Sequence, residues 1–375
     1  KWKTKYYKGL GTSSSSEAKE YFKNMKMNQY LHTDSTNESV NLAFNKKLAD
    51  LRKDWLYQYN EKEILKTDES EIPIERFIHR ELIHFSNSDT KRSIGSLYDG
   101  LKPSQRKILY SCFKRKLYSE IRVAQLAGYV SEHAAYHHGE ASLQGAIINM
   151  AQDFVGSNNI NVLMPNGQFG TRIMGGSDSA SPRYIHTELN PIVDIIYPKD
   201  DMPLLKYTND DGLLVEPEYY VPIIPMVLVN GMVGIGTGFS TNIPLFNPYL
   251  IINNIKRKLD GEKYYVMRPY YNNFKGQIVE KDSKNFITKG IYKVYTNTNK
   301  VEITELPIGK WTDDYIKFVQ DNIIGFKEDK KNCFITDYEN LSKPTLSSSN
   351  SLNHISLTDL FSKILYSFVC FSNSF

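Results

Sequence analysis

Three short stretches concentrate side chains that could do chemistry. Tyr136-His137-His138-Gly139-Glu140 sets an aromatic ring, two imidazoles and a carboxylate side by side. Histidine titrates near neutrality and its protonated ring donates from both nitrogens, which suits general acid/base work or phosphate binding. Neighbouring positions on a helix point about 100° apart, so this pair is poorly placed to share a metal ion. Ser181-Pro182-Arg183-Tyr184 sets a permanent guanidinium charge beside a phenol. A phenol titrates near about 10, so it needs cations or a base before it attacks anything. The stretch GMVGIGTG, Gly231 to Gly238, lacks the G-x-G-x-x-G spacing of a dinucleotide loop. It reads instead as a tight turn that pushes Ile235 outward, where an apolar wedge can enter a base step and kink DNA. Each stretch also has a plain structural alternative: a packed histidine pair, one tyrosine among 26, a buried isoleucine.

These groups need elements to hold them. Ser14 followed by Glu17 marks a helix start. Phe44, Leu48, Leu51 and Trp55 follow helical spacing and predict one amphipathic helix. Glu61 to Pro73 suits a linker, and Glu75 to Phe85 predicts another helix. Val123 to His133 and Ala141 to Phe154 carry apolar residues at helical spacing, with Gly139 between them. Gly156 to Tyr184 is glycine-rich, and helices followed by a glycine-rich hairpin resemble a winged helix. Tyr292, Val294, Val301 and Ile303 alternate around Asn297 to Lys300, a hairpin signal. After Leu341 the chain is Ser- and Asn-rich and ends in an apolar piece, Leu360 to Phe375, read as a linker and docking helix or as a misassembled end.

Composition narrows the classes. The 375 residues are 41% hydrophobic and 23% charged, enough for real cores and for two or three domains. The net charge of +4 is too small to prove a nucleic-acid partner, so local runs must decide. Leu101 to Arg122 holds seven basic residues, Lys102, Arg106, Lys107, Lys114, Arg115, Lys116 and Arg122, against one acid, Glu120. Such a run is either a solvated face or a phosphate-binding surface. Three cysteines, Cys112, Cys333 and Cys370, show no disulfide or zinc spacing and fit a reducing compartment. No apolar stretch is long enough to span a membrane as a helix, and no signal peptide is seen.

Read together, the motifs are no longer anonymous. KYYKGLGTS (Lys5 to Ser13), DGLKPSQRK (Asp99 to Lys107), AYHHGE (Ala135 to Glu140), DFVGSNNIN (Asp153 to Asn161), GQFGTR (Gly167 to Arg172), SPRYI (Ser181 to Ile185), GIGTG (Gly234 to Gly238), NFKG (Asn273 to Gly276) and EITELP (Glu302 to Pro307) occur in order. This resembles a eukaryotic type IIA DNA topoisomerase from Lys1 to about Glu339; the histidine and tyrosine motifs are of the eukaryotic rather than the gyrase type.

The resemblance implies an α+β multidomain chain. Its expected parts are a TOPRIM remnant at 1–30, a helical linker at 31–88, a winged-helix DNA-cleavage domain at 89–245, an incomplete α/β tower at 246–345 and an atypical tail at 346–375. It implies transient double-strand breakage through a 5′-phosphotyrosine, coupled to ATP in the intact enzyme. Tyr184 would be the nucleophile, with Arg183, Arg106 and His138 as its catalytic partners. Ile235, Lys8, Lys102, Lys107, His137, Gln168 and Arg172 would contact double-stranded DNA. The resemblance places the Mg²⁺ ligands and the ATP site outside this chain and implies a homodimer in the nucleus, with no membrane. Gly95, Tyr98, Ser104 and Ser177 depart from the family pattern, the last where a lysine would touch DNA. Two rivals stay open: a module that bends DNA without cutting it, and an inactive fragment.

Overall fold

The computed structural model describes residues 4, 5, 7, 11–25, 27–66, 69–210, 212–282, 285–322, 337–342, 355–358 and 370–371. The chain divides into two compact units. The first is Lys1–Lys91 with Gly236–Phe239; the second is Arg92–Ile235 with Ser240–Phe375.

In the first unit, α1 (Ser15–Lys23) starts where Ser14 and Glu17 form a reciprocal capping box. The single amphipathic helix expected through Phe44 and Trp55 is broken. α2 (Thr36–Phe44) ends at Asn45, whose extended backbone and side-chain bond to Lys47 N–H start a short 3₁₀ turn before α3 (Ala49–Tyr57). The break leaves Trp55 buried but Phe44 and Leu51 exposed. The expected linker contains a strand: β2 (Glu71–Pro73) pairs in parallel with β1 (Gln29–Leu31). α4 (Ile74–Phe77), a π-helical turn (Ile78–Leu82) and α5 (Ile83–Ser93) run in succession, so the helical segment continues well past Phe85.

The second unit is built on α6 (Pro103–Arg115), α7 (Val123–His133) and α8 (Glu140–Ala151). Ile108, Leu109, Val123, Leu126, Ala127, Val130, Leu143 and Ile147 recur at helical spacing and form its core. Segment 156–184 is a chain of turns rather than the expected hairpin. Short pairings tie it down: β3 (Ile121–Arg122) with β4 (His186–Thr187), and single bridges at Leu163–Leu189 and Asn166–His186. Beyond it come the short helix α9 (Val193–Ile196), the hairpin of β5 (Tyr207–Asp210) and β6 (Leu213–Pro217), α10 (Met226–Val229), the hairpin of β7 (Met232–Ile235) and β8 (Ser240–Ile243), and α11 (Pro248–Leu259).

Asn159, from the DFVGSNNIN motif, bonds to segments well beyond it in the chain. Its side-chain N–H₂ faces the carbonyls of Val229, Phe246 and Tyr270 at 3.0–3.1 Å, and its Oδ1 accepts from Asn272 N–H at 2.8 Å. The last part holds β9 (Gln277–Glu280), β10 (Phe286–Lys289), β11 (Ile291–Tyr295), β12 (Lys300–Glu305) and α12 (Thr312–Asn322). β11 and β12 are the expected hairpin, turned at Asn299 in the left-handed region. β13 (Asp337–Asn340), β14 (Ile355–Thr358) and β15 (Cys370–Phe371) add to its two sheets, so the Ser/Asn-rich tail supplies strands. The docking helix expected at Leu360–Phe375 lies largely outside the described residues, as does Cys333. Among the described residues no helix is long and apolar enough to cross a membrane.

Candidate active site and nucleic-acid interface

The turn at Ser181–Tyr184 is pinned to the start of α7. Ala124 N–H donates to Pro182 O at 3.0 Å, Val123 N–H to Ile185 O at 3.1 Å, and Tyr184 N–H closes the turn on Ser181 O at 2.9 Å. Ile185 is buried behind it, so the backbone is fixed while the side chains are not. Tyr184 is 73% exposed, and the Arg183 guanidinium lies 5.8 Å from its ring centroid. An exposed hydroxyl beside a fixed cation is free to meet a phosphate.

The other end of α7 leads into the loop 134–139, which carries His137 and His138. A cavity of about 370 Å³ opens here, walled by Arg92, Ser104, Lys107, Tyr136, His137 and His138 among others. Tyr136 packs edge-on against His138 with centroids 5.4 Å apart. Burial pushes the Tyr136 phenol up, while the charge of Arg92 pulls it down. His137 Nε2 lies 3.2 Å from Asp210 Oδ2. Two cationic side chains and two imidazole rings meet only through folding, because Arg92 is in the last turn of α5, Lys107 sits on α6 and the histidines follow α7. Tyr184 and Arg183 do not line this cavity; they sit at the opposite end of α7, an 11-residue helix.

Three of the expected site residues are corrected by their surroundings. Arg106 is buried and spent on structure: its Nε and Nη2 donate to Asp99 Oδ2 and Oδ1 at 2.7 and 3.0 Å, and Nη2 also to Leu101 O at 2.8 Å. Asp99 is wholly buried and further accepts from Leu101 and Tyr220 N–H, so the pair is closed on both sides. Arg172, 2% exposed, forms an ion pair with Glu305 and donates to Leu306 O at 2.7 Å, so it cannot contact DNA from there. Lys107 does line the cavity, but its Nζ is held by Ala134 O at 2.6 Å and Glu216 Oε2 at 2.8 Å. Arg92, which also walls the cavity, was not among the expected residues. Its signal was the Lys91-Arg92 pair just ahead of DGLKPSQRK, outside a basic run counted from Leu101.

The other expected residues differ in exposure. Lys102 caps the start of α6, half-buried. Gln168 acts through its carbonyl, which accepts Ala180 N–H at 2.9 Å ahead of the tyrosine turn. Lys114, Arg115, Lys116 and Arg122 are exposed, so four of the seven cations in the basic run face solvent. Lys8 lies outside the described residues. Ile235 ends β7 with 79% of its surface exposed, and Val233 on the same strand face is exposed too. The glycine before it answers to packing: a Cβ on Gly234 would lie 2.3 Å from Ser93 O. Cys112 is buried and its thiol is pushed up to about 12 by burial, which removes it as a nucleophile. Among the described residues no group of three or more His, Cys, Asp or Glu side chains is placed to hold a metal ion.

The family model for the A subunit of DNA gyrase/topoisomerase IV matches residues 92–356, and that of the C-terminal associated domain of TOPRIM matches residues 1–90. The first match runs past Glu339, where the motif resemblance ended. DNA topoisomerase 2 of Arabidopsis thaliana is 50% identical over 341 residues, covering 88% of this chain and 23% of the relative. DNA topoisomerase 2-alpha of Rattus norvegicus is 50% identical over 353 residues, covering 90% and 23%. This chain thus spans about a quarter of the length of the curated relatives it matches. The crystal structure of the Plasmodium falciparum topoisomerase II DNA-binding, cleavage and re-ligation domain superposes with a TM-score of 0.78 at 45% identity, covering 98% of this chain and 49% of that one.

Proposed function

The chain belongs to the family of DNA gyrase/topoisomerase IV A subunits, and from that premise we propose that it is the breakage-and-rejoining part of a type IIA DNA topoisomerase, with Tyr184 as nucleophile. The observation that carries the reading is the exposed Tyr184–Arg183 pair on a turn bonded to α7, the helix that ends in the two-histidine cavity. In the proposed step the Tyr184 oxygen attacks a backbone phosphorus and its proton leaves to a base or to water. The bond from phosphorus to the 3′ oxygen breaks, that oxygen departs with a proton as a free hydroxyl, and the phosphorus, still joined to the DNA through its 5′ oxygen, is now bonded to the Tyr184 oxygen. Resealing is the reverse and needs no external energy, because one ester replaces another. Phosphoryl transfer rests on positioning and charge stabilisation, and beside Tyr184 these fall to Arg183; Arg92 and the two histidines, at the other end of α7, would meet a phosphate in their own cavity.

The finer reading keeps to the same lines: a TOPRIM remnant, a helical linker, a winged helix and an incomplete tower, acting in the nucleus as a homodimer on double-stranded DNA with Mg²⁺ and ATP. Among the described residues no group of three or more His, Cys, Asp or Glu is placed for a metal ion, and no step is assigned to Mg²⁺. The test is to incubate labelled duplex and Mg²⁺ with the chain, by itself and supplemented with a full-length DNA topoisomerase 2 whose own tyrosine is replaced by Phe. After denaturation, label should remain on this polypeptide in the supplemented reaction. Label retained equally by Tyr184→Phe would sink the assignment.

Two further results are expected. Four exposed cations on and after α6 predict a duplex affinity that falls with salt, with a log–log slope of magnitude about 3–4. Lys114→Ala with Lys116→Ala should lower that magnitude by about 2. A flat salt profile in the parent chain would return these residues to a solvated face. Ile235→Ala should reduce DNA bending more than binding, since the wedge repays the few kcal/mol of unstacking only when it fills the gap. A fluorescence bending assay in which the variant bends DNA as the parent does would contradict the wedge.

A further inference from the structure

The hairpin β5–β6 brings two carboxylates to the histidine loop: Asp210, which lines the cavity, and Glu216, which holds the cavity residue Lys107. Glu216 on β6 meets Lys107 on α6, and Lys107 Nζ also donates to Ala134 O, the carbonyl at which α7 stops. Both partners are largely covered, with side-chain exposures of 15% and 10%. Asp210, the last residue of β5, lies 3.2 Å from His137 Nε2. The hairpin is fixed to α6 in turn, through Tyr110 OH donating to Leu214 O at 3.3 Å.

Between these two anchors the backbone does something unusual. Ala135 has φ of +48°, in the left-handed region that a residue with a Cβ avoids. Such a conformation persists only where the surroundings over-determine it. Lys107 holds the carbonyl immediately before it; Glu216 supplies the counter-charge that lets a covered ammonium stay there. Beyond the histidines the loop is closed by α8, where Ser142 N–H donates to Gly139 O at 3.1 Å.

We propose that Glu216 and Asp210 are positioning residues for the histidine loop: Glu216 acts through Lys107 to hold the left-handed turn at Ala135, and Asp210 orients His137. The proposal rests on the DNA-cleavage reading only for its consequence in chemistry. The opposite idea, that the carboxylates stand in for phosphate and weaken DNA binding, differs in its outcomes.

The test is a double-mutant cycle read by amide hydrogen exchange in the full chain without DNA. Glu216→Gln should speed exchange of the hydrogen-bonded amides at the two ends of the loop, Ala134 and Ser142, by about tenfold, the effect of losing one charge-assisted hydrogen bond. Lys107→Met should do the same, which guards against a fault peculiar to one variant. In an Ala135→Gly background, where the left-handed turn needs no tether, the effect of Glu216→Gln should shrink clearly. Equal effects in both backgrounds, or no change in loop exchange, would overturn the proposal. In the supplemented cleavage reaction Glu216→Gln should slow adduct formation at unchanged duplex affinity; tighter duplex binding with an undisturbed loop would favour phosphate mimicry instead. A parent chain that forms no adduct would remove the cleavage reading while leaving the exchange result to stand or fall by itself.

Discussion

Arg183→Ala should slow formation of the covalent protein–DNA adduct by about 10²–10³-fold, the scale seen when one preorganised charge-stabilising group is removed. The structure gives the reason. The turn from Ser181 to Tyr184 is closed by its own backbone bond and tied to α7 by two more, so shortening Arg183 leaves the nucleophile in place. What is lost is the cation next to the phenol, needed to meet charge developing on phosphorus. Duplex affinity should fall little by comparison, because most of it comes from cations spread along the surface. Single-turnover adduct formation measured beside duplex binding separates the two. A loss of binding equal to the loss of rate would make Arg183 a simple phosphate contact.

Asp99→Ala should destabilise the second unit by about 3–5 kcal/mol, because it leaves the buried Arg106 guanidinium without its counter-charge. Asp99 also accepts from Leu101 and Tyr220 N–H, so those donors are orphaned together with the arginine. Arg106→Ala should likewise lower stability, and any loss of adduct should track the fraction unfolded. Denaturant titration beside the cleavage assay decides. An Arg106→Ala protein of parental stability that forms no adduct would put Arg106 back in the chemistry.

The Asp99–Arg106 pair also shows where reading the sequence stops. Local patterns were legible: Val123–His133 matches α7, the strands around Asn299 form the expected hairpin, and Tyr184 and Ile235 stand exposed. Each depends on spacing or turn chemistry within a few residues. Pairings across the fold were not legible. The basic run looks uniform in sequence, yet Arg106 faces inward to Asp99 and Lys107 faces Glu216 on β6, whereas Lys114, Arg115, Lys116 and Arg122 face water. Arg172 reads as a cation in a glycine-rich motif, and only folding brings Glu305 to it. Arg92 was overlooked for the converse reason: it lies apart from the run, and only folding brings it to the wall of the cavity that the histidines also line. The broken helix at Asn45 belongs with these, since apolar spacing continues across a cap that ends the helix.

The most direct test of the central claim is to digest the denatured adduct with protease and nuclease and weigh the modified peptide. The account predicts one modified peptide, containing Tyr184, carrying a nucleotide through its 5′ phosphate and leaving a free 3′ hydroxyl on the other DNA end. A nucleotide on any other residue, or a 3′-phosphate linkage, would contradict it.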